Sequence, residues 1–409
     1  MPSHFYINFI YTMAANIRRT IKSMIRPHRP LTSSIDPLLE NILERMEEAT
    51  AEWPNCGYTA QDIPADELPK DSNYEIVVNE IKKEMATSKR FGKKYSFVIG
   101  ARTITIYAVY PYNGPNVNRQ AVAFMDASVK KMYVWLYVAT PFFESQCSPS
   151  MTVYWYLSNH KKMVPAVKGK IIEEVHVNTA FTYPCPLTAN CIYLFRKEEW
   201  FKVFIHECFH SFGLDFSHMR ENRVDERIRK TFHISCDVRF SEAYTEVWAE
   251  ILNIVFICVR EYSDDEPAIR ISKLKRDIDR RLHDEVAHSV FQMCKVLKHN
   301  EMVYENFFRS NSYREGSNVF SYFVLKTIFI YHYNEFLEWC IKNNGDSFRI
   351  QKTDATINRL FQFVEERCRS PEFLTAVKRV ERRFSTLAPA DSVEMKTLRM
   401  TCNAFTDVV

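Results

Sequence analysis

The spacing of apolar and polar residues changes along this chain and predicts a mixed α+β protein. Residues 103–110 alternate between polar and apolar side chains, which is the period of a half-buried strand. Residues 37–50 instead carry apolar side chains at helical spacing, and we predict further helices at 73–88 and 118–131. We predict further strands at 132–139, 152–157, 176–182 and 191–195, and a loop at 53–69.

The second half of the chain has a helical pattern. The acidic, proline-containing stretch 263–267 marks a boundary, and beyond it apolar residues recur at helical spacing from 274 to 290. Ser370 and Pro371 suit an N-cap and a first-turn proline. We therefore predict a final helix there, and we expect the weakly patterned segment beyond 387 to be disordered.

One short motif carries the candidate chemistry. The run His206-Glu207-Cys208-Phe209-His210 reads H-E-x-x-H within an apolar, helix-like stretch. Positions i and i+4 share one face of a helix, so His206 and His210 can reach the same metal ion. Two imidazoles at this spacing suit Zn²⁺, and Glu207 is placed to act on a water molecule beside it. The alternative is an ordinary helix with structural histidines, which leaves Glu207 without a task.

A catalytic zinc site needs a third protein ligand, and a candidate lies about 30 residues later. Glu242, Glu246 and Glu250 are spaced by four residues in a predicted helix that begins near Ser241. Like charges at this spacing destabilise an isolated helix, and a cation alongside removes that cost. We therefore predict that Glu242 binds the metal and that Glu246 orients a ligating histidine. The alternative is an acidic stripe that faces solvent.

Over about residues 170–262 the two motifs together resemble those of the gluzincin zinc peptidases. In that family a glutamate of the later helix completes the metal site. The resemblance implies that His206, His210 and Glu242 bind Zn²⁺ and that Glu207 is the general base.

The resemblance is incomplete in one place and extends beyond the motifs in another. Gluzincins often have asparagine where this chain has Ser241, which makes the second motif the less specific one. The runs 196–215 and 242–249 are also similar to uncharacterised gluzincin-like proteins of large DNA viruses, a resemblance that implies no further activity.

A different third ligand is also consistent with the sequence. The run from His206 to Gly213 reads H-E-x-x-H-x-x-G, which resembles the opening of the metzincin pattern. That family places its third ligand three residues after the glycine, where this chain has Phe216, which cannot bind a metal. Asp215 lies one residue earlier and His218 two residues later. Gly213 is also explained as a helix C-cap.

The resemblance implies two further parts of the site. In zincins an edge strand before the metal helix pairs with an extended peptide, so we expect the segment 175–182, with Asn178, Thr179 and Ala180, to bind substrate. Peptidases of this kind also use a tyrosine or histidine to stabilise the developing oxyanion. We select Tyr322 from the candidates Tyr244, His233, Tyr313, Tyr322 and His332.

The expected fold is α+β, with a zincin-like metallopeptidase domain followed by an α-helical C-terminal domain. The zincin-like domain combines a mixed sheet with the metal-binding helices. We predict a basic N-terminal segment (1–36), a helical N-terminal region (37–90), the catalytic domain (91–262) and the helical C-terminal domain (263–409).

Composition argues against several other functions. The 409 residues carry a net charge of +4, too little to predict a nucleic-acid partner. Only 8 glycines occur, and none are spaced as in a dinucleotide-binding or P-loop motif. The 11 cysteines, an odd number without C-x-x-C, indicate a reducing compartment, and Cys185 and Cys191 lie close enough to pair in a secreted chain.

The first residues combine an apolar stretch at 5–17 with basic residues from 18 to 29. The stretch is too short to span a bilayer as a helix, and its charges follow it rather than precede it as in a signal peptide. We expect an intracellular, cytoplasmic protein. The alternatives are a mitochondrial or virion-associated location, and peripheral membrane contact through this segment.

The sequence predicts zinc-dependent hydrolysis of a peptide or protein substrate. One alternative is a catalytically silent zincin-fold protein with a structural or binding role, for example a virion component. A second alternative is a membrane-surface or scaffold protein. The presence of Glu207 favours the enzyme, because a catalytically silent descendant has no need of it.

Overall fold

The structure is a computed structural model that describes residues 14–25, 29–64, 77–112, 119–219, 223–259, 267–345 and 347–404. The apolar N-terminal stretch therefore lies mostly outside the described residues. Within the described part of the chain, one six-stranded mixed sheet is combined with many helices, which confirms the predicted α+β class.

Helices precede, interrupt and follow the sheet. The helices of the first half are α1 (residues 14–22), α2 (Asp36–Glu52), α3 (Asn79–Thr87), α4 (Arg119–Ala139) and the short α5 (Glu174–Val177). The motif helix is α6 (Trp200–Ser211), followed by α7 (Arg223–Thr231), α8 (Phe240–Val259) and α9 (Pro267–His299). A π-helical segment, Phe320–Leu325, leads into α10 (Lys326–Tyr331), α11 (Tyr333–Asn344), α12 (Asp354–Arg367), α13 (Pro371–Leu387) and α14 (Val393–Lys396).

The sheet has the spatial order β1-β2-β3-β4-β6-β5. Its strands are β1 (Thr59–Ile63), β2 (Lys89–Ile99), β3 (Arg102–Tyr112), β4 (Ser150–Tyr156), β5 (Ala180–Thr182) and β6 (Asn190–Leu194). Strands β3, β4 and β6 are parallel, whereas β1, β2 and β5 pair antiparallel with their neighbours. Strand β5 is thus an antiparallel edge strand, and its neighbour β6 leads into α6.

Alternate strand residues pack on opposite faces of the sheet. On one face, Ile106 and Leu194 join the main core, which also contains α4 and α6. On the other face, Val109 and Tyr193 pack in a smaller cluster with Ile81 of α3. The motif helix therefore lies on the face that carries the main core.

The strand predicted at 132–139 is wrong, because these residues form the second half of α4. Helix α4 packs against α2, α6 and the sheet, and Met132, Trp135 and Leu136 are almost fully buried. A helix that is covered on most sides has no continuous polar face. Its run of aromatic and β-branched residues then cannot be distinguished from a strand by spacing alone.

Two other segments also differ from the predictions. The loop predicted at 53–69 contains β1, a polar and mostly exposed strand that has no apolar alternation. The strand predicted at 176–182 forms only at 180–182, because residues 174–177 make the short α5. The region 37–90, predicted as helical, therefore contributes β1 and the start of β2 to the sheet.

Five other elements agree with the predictions. Strands β3, β4 and β6 and helices α2 and α3 lie where the apolar spacing places them. Ser370 caps α13 by accepting a hydrogen bond from the backbone N–H of Phe373 at 3.3 Å.

The main core extends from Ile17 in α1 to Met400, and so crosses each predicted domain boundary.

The segment beyond residue 387 is not disordered up to residue 404, which corrects the expectation. After α14, Leu398 and Thr401 are fully buried and Met400 is 4% exposed. The weak pattern of apolar residues wrongly suggested disorder, because this segment is buried by distant parts of the chain, including side chains of α9 and α10.

The cysteine pairing also differs from expectation. Cys185 forms a disulfide with Cys147, not with Cys191. Cys147 precedes β4 and Cys185 follows β5, so the pairing depends on the order of strands in the sheet rather than on closeness in sequence. The disulfide also departs from the expectation of reduced cysteines.

Membrane contact was predicted through the basic N-terminal segment (1–36), of which residues 1–13 and 26–28 lie outside the described residues. In α1, Ile17 and Ile21 pack into the core, and Lys22 pairs with Asp284 at 3.1 Å. The described residues contain no helix that is both long and apolar enough to cross a bilayer.

Candidate metal centre

The helix that carries the H-E-x-x-H motif is buried along its whole length. Glu199, in the left-handed conformation with a φ of 59°, turns the chain from β6 into α6. Gly213, with a φ of 66°, lies just beyond its end, as the C-cap interpretation predicts. His206 and His210 each keep 6% exposure on one face of this helix.

Three atoms from α6 and α8 converge on one point. The Nε2 atoms of His206 and His210 lie 3.1 Å apart, and each lies 3.2 Å from Oε2 of Glu242. A tetrahedral zinc site with bonds of about 2.0–2.1 Å separates its ligand atoms by about 3.3 Å. The three atoms are thus already at nearly the separation that a shared Zn²⁺ requires.

His206 is held from its other side by a carboxylate on α8. Its Nδ1 lies 2.9 Å from Oε2 of Glu246, although off the ideal N–H direction. The other oxygen of Glu246 accepts a hydrogen bond of 2.6 Å from the Lys202 ammonium. Burial opposes ionisation of Glu246, but the Lys202 charge and His206 outweigh it and lower the pKa of Glu246. Glu246 therefore lies behind a motif histidine, at the position expected for a carboxylate that orients it.

His210 is held in the same way by Asp215, a role the sequence reasoning missed. Its Nδ1 lies 2.6 Å from Oδ2 of Asp215, which is fully buried. Thr245 and Ser217 donate hydrogen bonds of 3.1 Å and 2.9 Å to the two Asp215 oxygens. Because Asp215 lies on the Nδ1 side of His210, it is not among the three converging ligand atoms.

The outer carboxylates fix which ring nitrogens face the centre. Glu246 lies 2.9 Å from Nδ1 of His206 and Asp215 lies 2.6 Å from Nδ1 of His210. A neutral imidazole with its proton on Nδ1 turns an Nε2 lone pair towards the converging point. Two such lone pairs and an oxygen of Glu242 repel one another at these separations unless a cation lies among them. Two imidazoles and one carboxylate form a donor set that suits Zn²⁺.

The charges around these groups favour positive charge at the converging point. Burial lowers the pKa of His210, but Glu242 and Asp215 outweigh it and raise that pKa well above its usual value. Burial likewise opposes ionisation of Glu242, but His210 and His206 bring its pKa well below the usual range. The pocket therefore stabilises a cation strongly, in the form of a proton or of a metal ion.

Glu207 lies next to the ligands but is not one of them. It is 7% exposed, and burial raises the pKa of its carboxyl group. A raised pKa suits a group that must both take up and release a proton near neutral pH.

Tyr322 reaches the same centre from the π-helical segment. Its hydroxyl donates a hydrogen bond of 3.0 Å to Oε2 of Glu242, the oxygen that faces both histidines. The other four candidates have different partners. Tyr244 donates to the Phe348 carbonyl and Tyr313 to Glu315, whereas His233 faces the Phe307 carbonyl and His332 lies near Glu335.

The three predicted substrate residues differ in where their backbone groups point. The carbonyls of Asn178 and Thr179 already accept hydrogen bonds, from the Arg196 side chain and the Phe195 backbone. Thr179 and Phe195 thus form a hydrogen-bonded pair, so the backbone groups of Ala180, the next residue, point away from β6. Of the three predicted substrate residues, only Ala180 turns its backbone groups away from β6. Thr182, two residues later on the same strand, does so as well.

The metzincin-like alternative has no support from this geometry. Asp215 orients His210, and His218 lies 3.8 Å from Glu144, away from the converging atoms. Glu144, Cys185 and His218 form a second group of potential ligands. In that group Cys185 is bound in the disulfide and the Lys352 ammonium pairs with Glu144. The Lys352 ammonium thus provides the positive charge beside Glu144.

The solvent-facing interpretation of the acidic stripe is also wrong. Glu242, Glu246 and Glu250 are 7%, 1% and 0% exposed. Glu250 pairs with the buried ammonium of Lys326 at 2.8 Å. The stripe is therefore an internal row of carboxylates, each facing a cation or a histidine.

Searches against protein-family models, curated proteins and solved structures find no match for this chain. The geometry of the metal centre is therefore the basis on which a function is assigned.

Proposed function

We propose that this protein is a zinc-dependent peptidase of the gluzincin type. The observation that carries the proposal is the convergence of His206, His210 and Glu242, with each imidazole held from behind by a carboxylate. A structural histidine pair has no need of two buried outer carboxylates. The adjoining Glu207 and Tyr322 supply the two groups that hydrolysis requires besides a metal.

His206, His210 and Glu242 would hold the metal. When bound there, Zn²⁺ polarises a carbonyl and makes water acidic enough to react near neutral pH. Glu207 takes the proton from the attacking water and delivers it to the leaving amine. Tyr322 turns its hydroxyl from Glu242 to the carbonyl oxygen of the scissile bond and stabilises the negative charge that develops there.

The substrate would bind as an extended strand on β5. Ala180 and Thr182, which are 8% and 7% exposed, direct their backbone N–H and C=O groups away from β6, the side on which an added antiparallel strand would pair. Strand β5 packs against α6, which brings a peptide on this edge close to the metal-binding histidines. An antiparallel edge strand followed by the motif helix is similar to the zincin arrangement, and we include that fold in the proposal.

The experiment is to measure zinc per chain and hydrolysis of a peptide library by the wild type and three variants. We expect about one zinc in the wild type and in Glu207→Gln, and little zinc in Glu242→Ala. Glu207→Gln should lose hydrolysis while it keeps zinc. A wild type that is purified without chelators and binds no zinc would overturn the proposal. Loss of all zinc in Asp215→Ala but not in Glu242→Ala would indicate a metzincin-like site.

A binding or structural role is the second candidate, and the low exposure of the site favours it. The ligand residues are only 6–7% exposed, and the Tyr322 hydroxyl is engaged with Glu242. A zinc-loaded wild type that hydrolyses no member of a broad peptide library would favour this role over catalysis.

A further inference from the structure

Three buried ion pairs lie beside the metal centre. Lys162 pairs with Glu199, which sits directly before the motif helix. Lys202 pairs with Glu246 at 2.6 Å, and Lys326 pairs with Glu250 at 2.8 Å. The six side chains are at most 2% exposed, and their charges balance. The middle pair is the one that holds His206.

All three pairs are contacted by one short stretch of chain, the tail segment (residues 398–403). Glu199 accepts hydrogen bonds from the backbone N–H groups of Met400 and Thr401, at 2.9 Å and 2.6 Å. Lys326 donates to the Met400 carbonyl at 3.1 Å. The Lys202 ammonium lies 3.9 Å from the Met400 sulfur. Met400 thus contacts a member of every pair.

The tail segment is itself anchored at a fourth buried carboxylate. Glu285 on α9 accepts hydrogen bonds from the Thr401 hydroxyl at 2.6 Å, the Cys402 backbone at 3.2 Å and the Asn403 amide at 2.8 Å. Asn253 on α8 donates to the Asn403 carbonyl at 3.1 Å. These bonds fix the tail segment between the helix that carries Glu242 and the helix that carries Glu285.

These contacts make the position of the Lys202–Glu246 pair depend on the tail segment. A buried ammonium without its partners is strongly destabilising, so Lys202 stays where Glu246 and its other neighbours hold it. The Met400 side chain lies beside Lys202. The Met400 backbone also forms hydrogen bonds with Glu199 and Lys326, which belong to the two flanking pairs. Without the tail segment Lys202 would lose its contact with Met400, and the pair that Lys202 forms with Glu246 beside His206 would lose its packing on that side.

We propose that the tail segment, acting through Met400, is a positioning element of the metal centre. Its role is to keep Lys202 and Glu246 in place so that His206 presents Nε2 to the metal. This inference rests on the proposed zinc site. It assigns a role to residues about 200 positions from the motif that have no direct contact with the ligands.

The test compares zinc affinity and cobalt spectra of four chains: the intact chain, a chain ending at Thr397, a chain ending at Ala404, and Met400→Ala. Met395→Ala is the matched control, because Met395 also packs on the core near the tail segment but its backbone bonds only within its own turn. Zinc affinity is measured by competition with a chelator, well below the melting temperature of each chain. The absorption bands of bound Co²⁺ report the geometry around the metal without any assay of activity.

We expect the chain ending at Thr397 to bind zinc about 10- to 100-fold more weakly, the range found when outer partners of ligands are lost. Met400→Ala should lose about threefold or more and shift the Co²⁺ bands. The chain ending at Ala404 and Met395→Ala should match the intact chain.

Two results would overturn the inference, and they are distinguishable. If the intact chain binds no zinc, the metal centre itself is wrong. If the intact chain binds zinc and Met400→Ala is folded with unchanged affinity and unchanged Co²⁺ bands, the positioning role alone is wrong. The point variant decides the matter if the chain ending at Thr397 does not fold.

Discussion

The hydroxyl of Tyr322 donates a hydrogen bond of 3.0 Å to Oε2 of Glu242, the same oxygen that lies 3.2 Å from both motif histidines. Tyr322 reaches this oxygen from a π-helical segment, Phe320–Leu325. Such segments are rare and often occur at functional sites. A phenol that lies beside the same oxygen as both motif histidines is well placed, in the proposed enzyme, to donate to a carbonyl oxygen bound there.

Tyr322→Phe should therefore lower peptide hydrolysis while zinc stays bound. Loss of one oxyanion donor lowers kcat by about 10²–10³-fold, and KM should change little because the donor acts mainly in the transition state. The measurement is steady-state kinetics together with zinc content. Tyr244→Phe is the matched control, because that buried hydroxyl donates to the Phe348 carbonyl instead. A Tyr322→Phe enzyme with unchanged kcat would exclude the role.

Asp215→Asn should weaken zinc binding without abolishing it. Asp215 holds Nδ1 of His210 at 2.6 Å, and loss of such an outer carboxylate lowers metal affinity by about 10- to 100-fold. Ser217→Ala, which removes a hydrogen bond to the other Asp215 oxygen, should cause a smaller loss. Chelator competition measures both. Equal affinities for wild type and Asp215→Asn would contradict the orienting role.

Glu315 should make stability depend on pH. Burial raises the pKa of its carboxyl group to about 8 from a usual 4.5, although Tyr313 and the Phe320 backbone donate hydrogen bonds to it. Between about pH 4.5 and about pH 8 the folded protein thus binds more protons than the unfolded chain. The free energy of unfolding should fall as pH rises through this window, by at most about 1.4 kcal/mol per unit.

Glu315→Gln removes the titrating group but keeps an oxygen for Tyr313 and Phe320. Urea unfolding of both proteins at several pH values across the window is the measurement. The wild type should lose stability relative to the variant as pH rises. A constant difference between the two would show that Glu315 does not titrate in this range.

The disulfide between Cys147 and Cys185 should stabilise the region around the motif helix. It closes a loop of 38 residues, and the Cys185 backbone donates to the His210 carbonyl at 2.9 Å. Loss of such a crosslink costs about 2–4 kcal/mol. Reductant should lower the urea midpoint of the wild type but not that of the Cys147→Ala/Cys185→Ala double variant. A wild-type midpoint that is insensitive to reductant would contradict this.

Local spacing predicted the elements whose environment differs between their two sides. Strand β3 alternates because one face packs on α4 and the other on a smaller cluster, and α2 has one buried stripe. The same reasoning failed for residues 132–139 and for β1. The first is a helix buried on most sides, and the second is a polar edge strand, so neither carries a period that spacing can detect.

The sequence offered the right candidates for the converging group because each of the two helices carries a local spacing. The four-residue repeat of His206 and His210, and that of Glu242 and Glu246, survive in any helix. The role of Asp215 was not predictable in this way. It depends on the turn after Gly213, which brings that carboxylate back to Nδ1 of His210.

The sequence by itself determined the α+β class and the helical spacing of the candidate residues, because these follow from periodicity within single elements. The packing of α6 against α8 brings Glu242 to the two histidines. Tertiary structure alone decided which carboxylates stand behind the histidines and which residues of the edge strand turn their backbone groups away from β6. It also decided that the tail segment is buried against three ion pairs. Those contacts join residues as far apart in sequence as Lys202 and Met400. A contact between such distant residues produces no repeating pattern of apolar and polar positions that the sequence could reveal.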